Sequence, residues 1–242
     1  MSASAPTFAD LIERARALVA DGRRRVLLGV TGCPGAGKST LVERMRATLA
    51  PAPPAGLAAQ EWVAHVPMDG FHLADATLER LGLRARKGAQ ETFDAGGYLA
   101  LLRRLRSDDE PVVYAPAFER NLEQPLAGAI AVPRAARLVL TEGNYLLVDD
   151  VEWLAVAAML DEVWFCTLRE DVRLDRLVAR HVRFGKDPGA ARRWVRDVDG
   201  PNAQLVAPTV HRADLVVPGA VLEGAVPEGA DRPIGVGCRG ER

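Results

Sequence analysis

Glycines at 32, 35 and 37 run directly into Lys38 and Ser39. A turn so poor in side chains lets consecutive backbone N–H groups point inward, and a helix starting at the lysine adds its positive end. Gly32-Cys33-Pro34-Gly35-Ala36-Gly37-Lys38-Ser39, with Thr40 following, thus has the chemistry of a cradle for a phosphate chain. In such a cradle Lys38 reaches the β and γ phosphates of a nucleoside triphosphate, and the Ser39 hydroxyl ligates Mg²⁺. A fortuitous glycine-rich turn is the competing reading. The apolar strand before the stretch and the helix after it favour phosphate.

Two acids follow apolar runs. Asp69 ends WVAHVPM at the expected carboxyl edge of a sheet, where ligands of open α/β folds bind. A carboxylate there could take a proton from an acceptor hydroxyl as phosphoryl transfer begins, or contribute to a metal site. It could equally be the Asp of an Asp-Gly turn. Glu142 ends LVLT in the stretch TEGNY, the usual place for a group that organises Mg²⁺. The plainer alternative is a solvated Glu that merely ends a strand.

These residues need a sheet to hold them. Buried strands are expected at 25–30, 62–68, 136–143, 162–168 and 213–219, from short apolar runs bounded by turn residues. Helices are expected at 39–49, 75–83, 98–105 and 152–160, and Thr7 can cap one before them. Residues 111–133, with four prolines, suit short strands and turns over a site. The Arg-rich stretch 169–198 reads as one long helix. Strands alternating with helices, begun by a strand–glycine loop–helix unit, imply an α/β fold with a doubly wound parallel sheet of the P-loop NTPase type. The expected organisation is an N-terminal helix within 1–22, a main domain over 23–219 whose lid spans about 169–200, and a loose tail over 220–242.

Composition narrows the classes. With 242 residues, 48% hydrophobic and 26% charged, the chain is ordinary globular material, and a net charge of -1 offers no global field for nucleic acid or a membrane. Three cysteines without a CxxC spacing suggest neither a disulfide framework nor a zinc site. Charges at Asp10, Glu13, Arg14 and Arg16 interrupt any secretory segment, so a cytoplasmic protein is expected. Arginine is the default cation, and lysine is kept only at Lys38, Lys87 and Lys186. A retained lysine can mark a place that needs a compact ammonium; for Lys87 and Lys186, chance is an equal reading. Cys33, beside Lys38 and a helix N-terminus, is either an unusually acidic thiol or a small apolar filler.

MDGFH, KGAQETFD, YAPAFER, TEGNYLL, RLVARHVRFGK and NAQLVAPTVHRADLVVPG follow one another in order. The set resembles the P-loop small-molecule kinases that include uridine kinase, phosphoribulokinase and bacterial type I pantothenate kinase. Within them it is most similar to a bacterial branch of nucleoside/nucleotide kinases and fructose transport system kinases. The resemblance covers about residues 20–219.

It implies an ATP- and Mg²⁺-dependent transfer of the γ-phosphoryl group to a hydroxyl of a nucleoside, a sugar or a pantothenate-like alcohol. The family's acceptor-activating Asp falls on Asp69 and its metal-associated Glu on Glu142. The mobile lid offers Arg173, Arg176, Arg180 and Lys186 to the phosphates, with Arg180 the catalytic candidate; a solvated helix face pairing arginines with Asp171 and Asp175 is the competing reading, and a mixture of site and surface arginines is expected. Asn202 lies just upstream of a segment that packs near adenine. By the same analogy Tyr114, Phe118 and Arg120 line the acceptor pocket, with His72 and Asp94 nearby, although each is individually more common as packing or loop chemistry. His181 and His211 read as structural. Dimers are frequent in such kinases, so a homodimer is allowed. VVYAPAFER departs from the aromatic pocket segment of uridine kinases, which leaves the acceptor open. Two other classes compete: a nucleotide-dependent switch or metallochaperone-type GTPase, which would want an NKxD-like segment that the sequence lacks, and a non-catalytic ATP-binding regulator.

Overall fold

In the computed structural model, residues 5–22, 24–57 and 61–223 are described. Cys238 and the expected tail beyond residue 223 lie outside the described residues. Helix α1 (Phe8–Leu18) starts where Thr7 and Asp10 cap each other: the Thr7 hydroxyl accepts from the Asp10 amide, and the Asp10 carboxylate from the Thr7 amide. Strand β1 (Val26–Thr31) is buried throughout, and helix α2 (Lys38–Leu49) follows the glycine loop.

Next come β2 (Val63–Pro67), a 3₁₀ turn at Met68–Phe71, α3 (Asp75–Arg80) and α4 (Ala95–Ser107). Asp94 caps α4 by accepting from the Gly97 amide at 2.8 Å, so it serves the helix rather than an acceptor pocket. Strands β3 (Val112–Glu119) and β4 (Gln124–Pro133) form an antiparallel hairpin, longer and more regular than the expected short strands and turns. Its register shifts between Ala115 and Ala117, around Pro116, which has no N–H to give.

The core sheet closes with β5 (Leu138–Glu142), α5 (Val151–Ala157), β6 (Glu162–Thr167) and, after the lid, β7 (Leu215–Pro218). Among the described residues the main sheet has five parallel strands in the order β2-β5-β1-β6-β7. Alternation along β1 decides what packs on each face. Val26, Leu28 and Val30 pack with Leu11 of α1 and Leu41, Val42 and Met45 of α2. Leu27 joins the opposite layer with Tyr98 and Leu102 of α4 and Trp153 and Val156 of α5. Both faces are covered, as a parallel sheet requires.

The lid departs from the expected single helix over 169–198. Helix α6 (Glu170–Arg183) stops before Gly185, whose φ of +94° is left-handed, and α7 (Pro188–Trp194) restarts with Asp187 accepting from the Gly189 and Ala190 amides. Gly then Asp-Pro is a stop followed by a start. One π-helical turn, Val195–Asp199, leads into α8 (Gly200–Val206). A short helix, α9 (Ala220–Glu223), begins the segment expected to be loose.

Candidate active site

The glycine loop lies at the carboxyl edge of β1, where β1 is flanked by β5 on one side and β6 on the other. Connections leave this edge in opposite directions, which opens a crevice. Gly37 has φ +90° and is the N-cap of α2. The Lys38 side chain folds back over the loop, its buried ammonium donating to the Gly32 carbonyl at 3.0 Å and the Cys33 carbonyl at 3.1 Å. Burial lowers its pKa, while the charge of Glu142 opposes that shift.

Register brings the two acids together. Pro67 of β2 pairs with Glu142 of β5, so Asp69 lies two residues beyond the partner of Glu142 at the same edge. Each acid precedes a glycine on which another segment closes. A Cβ at Gly70 would stand 2.3 Å from the Pro116 carbonyl oxygen of the hairpin, and one at Gly143 would stand 2.5 Å from the Met68 sulfur. The glycines of DG and EG thus let the hairpin and the turn press in around the acids.

Glu142 is buried and accepts a 3.0 Å hydrogen bond from the Ser39 hydroxyl. Burial pushes its carboxyl up to about 7 and the charge of Asp69 adds to the rise; Lys38, the Ser39 hydroxyl and Arg120 pull the other way. The Asp69 carboxylate accepts no hydrogen bond from the described residues; its backbone carbonyl accepts from His72 Nδ1 at 2.8 Å. That bond makes Nδ1 the protonated nitrogen. The His72 ring lies 4.0 Å from Phe93 and 4.7 Å from Phe118, and burial lowers its pKa.

A cavity of about 290 Å³ joins these parts. Of the candidate residues, Pro34, Gly35, Lys38, Ser39, Asp69, Glu142, Arg180 and Asn202 line it. Gly32 and Cys33 contribute the carbonyls that hold Lys38; Ala36 is buried, and Thr40 is exposed in the first turn of α2, outside the lining. Asn202 donates to the Gly88 carbonyl at 3.1 Å, which ties the start of α8 to the 84–93 loop. Phe118, Arg120 and His72 are also at the wall, whereas Tyr114 is exposed on the hairpin and away from it.

Two lid arginines are not where the lid reading puts them. Arg173 is buried, clamped to the Glu170 carboxylate at 2.6–2.7 Å and donating to the Pro34 carbonyl at 2.9 Å. Its fork is used to brace the outside of the glycine loop. Arg176 is exposed and outside the lining. The thiol of Cys33 faces a second, more apolar cavity behind the loop, 3.7 Å from the Ala203 carbonyl. Burial raises its pKa more than Arg173 and Lys38 lower it, so the acidic-thiol reading is replaced by the apolar one.

Sequence reasoning missed Asp199 and Trp194. Asp199 is buried at the end of the π turn and bonds His181 Nε2 at 2.8 Å, so His181 faces the cavity as half of a pair. Trp194 lies 4.3 Å from the Lys186 ammonium. Neither belongs to a local sequence motif: Trp194 ends α7 and Asp199 ends the π turn. His211 bonds the Pro208 carbonyl at 2.6 Å and stays structural.

Among the described residues no group of three or more His, Cys, Asp or Glu side chains is arranged to hold a metal, and no helix is long and apolar enough to cross a membrane. The Ser39 hydroxyl and the Glu142 carboxylate still fit Mg²⁺. That ion takes hard oxygen donors and completes its shell with water and substrate phosphates rather than with a full protein cage.

Comparison with known proteins agrees with this architecture. A family model described as methylmalonyl Co-A mutase-associated GTPase MeaB matches residues 7–54, the span of α1, β1, the glycine loop and α2. The "ATP-dependent kinase-like protein notR'" of Aspergillus versicolor is 34% identical over 63% of this chain and 94% of its own length. The "Putative uridine kinase C227.14" of Schizosaccharomyces pombe is 33% identical over 74% of this chain and 75% of its own. The crystal structure of a "putative fructose transport system kinase" from Silicibacter sp. TM1040 superimposes with a TM-score of 0.77 at 35% identity, covering 88% of this chain and 100% of that one. With relatives this similar over most of their length, the chain belongs to the P-loop kinases, among relatives named as ATP-dependent, uridine and fructose transport system kinases.

Proposed function

We propose that the protein is a phosphotransferase that moves the γ-phosphoryl group of ATP to a hydroxyl of a small metabolite, with Asp69 as the general base. The observation that carries this reading is the different bonding of two neighbouring acids: Glu142 is tied to Ser39 of the phosphate loop, while the Asp69 carboxylate accepts no such bond and borders the same cavity. One acid is committed to the phosphate side; the other is free to accept a proton.

The chain's own part in the reaction is positioning. Loop amides and Lys38 hold the phosphate chain, and Arg180 and Lys186 face it from the lid. Ser39 and Glu142 would hold Mg²⁺, which when bound offsets the negative charge of the β and γ phosphates. Asp69 holds the acceptor hydroxyl and takes its proton as the new P–O bond forms, the bridging P–O bond breaking with its electrons left on ADP. His72, with Nδ1 committed to the Asp69 carbonyl, fixes the backbone of that turn.

The test is acceptor-dependent ADP release from a panel of hydroxylated metabolites, with product mass showing one added phosphoryl group. ADP release at the same rate with and without every acceptor would favour the hydrolysing switch. Nucleotide binding without release would favour the regulator.

A further inference from the structure

Behind the phosphate loop lies a second cavity, of about 560 Å³, which the reaction proposed above does not use. Two helices border it without closing on each other. On α6, Leu174 and Val178 stand one turn apart on the same face. Opposite them, α8 and the turn after it offer Gly200, Ala203 and Ala207, side chains too small to fill the gap. Cys33 of the phosphate loop completes the lining; it borders this cavity and not the one that holds Lys38 and Asp69. A space of this size with an apolar floor suits a small organic molecule.

The rim sets the charge of that molecule. Arg173 borders the cavity with a side chain only 4% exposed. Glu170 takes two of its five N–H groups and the Pro34 carbonyl a third, so two are left over. Arg192, on α7, is exposed at the same rim with no acid paired to it among the described residues. Arg196 is matched by Asp197 at 2.7 Å, and Glu170 is already clamped by Arg173. Three guanidinium groups thus meet two carboxylates, and one positive charge is unanswered. An apolar floor with one spare cation is complementary to an apolar molecule that ends in a single carboxylate. A neutral molecule would fill the floor and leave the guanidinium hydrogens unused.

We infer that this cavity is a binding site for a compact apolar carboxylate, aromatic or short-chain, separate from the nucleotide and acceptor sites. Its apolar part packs on Leu174, Val178, Val195 and Ala203, and its carboxylate accepts from Arg173 with the charge of Arg192 beside it. Because Arg173 also donates to the Pro34 carbonyl, the bound acid bears on the phosphate loop from behind. The site is independent of which hydroxyl receives the phosphoryl group.

Cys33 supplies a local readout, since an occupant of the cavity covers its thiol. The whole chain is treated with iodoacetamide, and alkylation of the Cys33 peptide is timed by mass spectrometry with added 1-naphthoate, octanoate, the neutral 1-naphthamide, acetate or adenosine. One of the two apolar acids should slow alkylation saturably, at a concentration about tenfold below that of 1-naphthamide. Acetate carries the charge without the apolar body and should not protect. Arg192→Met should weaken the acid about threefold and leave the amide unchanged, as befits an exposed cation. Arg192 is on the surface and outside the phosphate loop and acceptor cavity, so the variant should keep the wild-type melting temperature. Protection by acetate would place the acid at the phosphate loop and overturn the inference. Adenosine protecting as well as the acids would assign the cavity to the nucleotide's base and overturn it too. Equal protection by acid and amide, no protection by any compound, or an acid affinity unchanged in Arg192→Met would do the same.

Discussion

Asp69 and Glu142 look interchangeable as acids at strand ends, yet their neighbours separate them. Glu142 carries the hydrogen bond to Ser39, so its loss should disturb the phosphate side. Asp69 has no such bond, so Asp69→Asn should leave the fold and nucleotide affinity nearly intact. Asparagine keeps the size but cannot take the hydroxyl proton, and transfer to the acceptor should fall by ~10²–10⁴-fold. A well-folded variant with near-normal transfer would end the mechanism; a loss rescued by high Mg²⁺ would instead make Asp69 a metal ligand. The sequence made both acids visible through their position after apolar runs, but it could not say which was tied to the loop. Cys33 shows the opposite case. Its sequence neighbours are cationic, yet its side chain points behind the loop, and desolvation raises its pKa. Alkylation at neutral pH should therefore be slower than for a free thiol, and its rate should keep rising with pH beyond about 8.5, where an ordinary thiol begins to level off. Rapid labelling of Cys33 at pH 7 would restore the acidic-thiol reading.

At the scale of elements, the strands and the glycine loop were legible because each is a local pattern: an apolar run, a turn, a helical period. The lid was only half legible. Its composition announced a cationic helix, but which face each arginine presents depends on where α6 stops, and the Gly185 to Pro188 signal that stops it lies inside an otherwise helical stretch. Arg173 consequently braces the loop from outside, one guanidinium joining Glu170 to the Pro34 carbonyl. Arg173→Met keeps most of the packing and removes that bond. With the Pro34 carbonyl left unpaired, stability should drop by about 1–3 kcal/mol, and nucleotide affinity should weaken because the loop loses its brace. A direct phosphate ligand would behave differently: affinity and transfer would fall while urea unfolding stayed at the wild-type midpoint. Measuring both on the one variant separates brace from ligand.

Across the whole molecule, two buried groups have pKa values displaced in opposite directions, and stability should register both. His65 sits in β2 with its Nε2 buried and without a hydrogen-bond partner among the described residues. Desolvation, helped by the charge of Arg46, lowers its pKa to about 4. Between pH ~6.5 and 4 the unfolded chain therefore holds a proton at this site that the folded chain does not, and stability falls as pH falls. Glu142, raised to about 7, does the reverse: from pH ~4.5 upward the folded chain holds the extra proton, so stability falls as pH rises through 7. Each slope is about 1.4 kcal/mol per pH unit, and over pH ~4.5–6.5 the two nearly cancel. His72, whose pKa burial also lowers, adds to the His65 arm, so by urea unfolding the free protein should show a shallow profile in which stability falls as pH falls. His65→Gln removes one arm and should tilt the profile, relative to wild type, toward lower stability as pH rises. Glu142→Gln removes the other, leaving stability that declines as pH falls. Wild type and both variants tracing parallel profiles would show that neither group is displaced as its surroundings require.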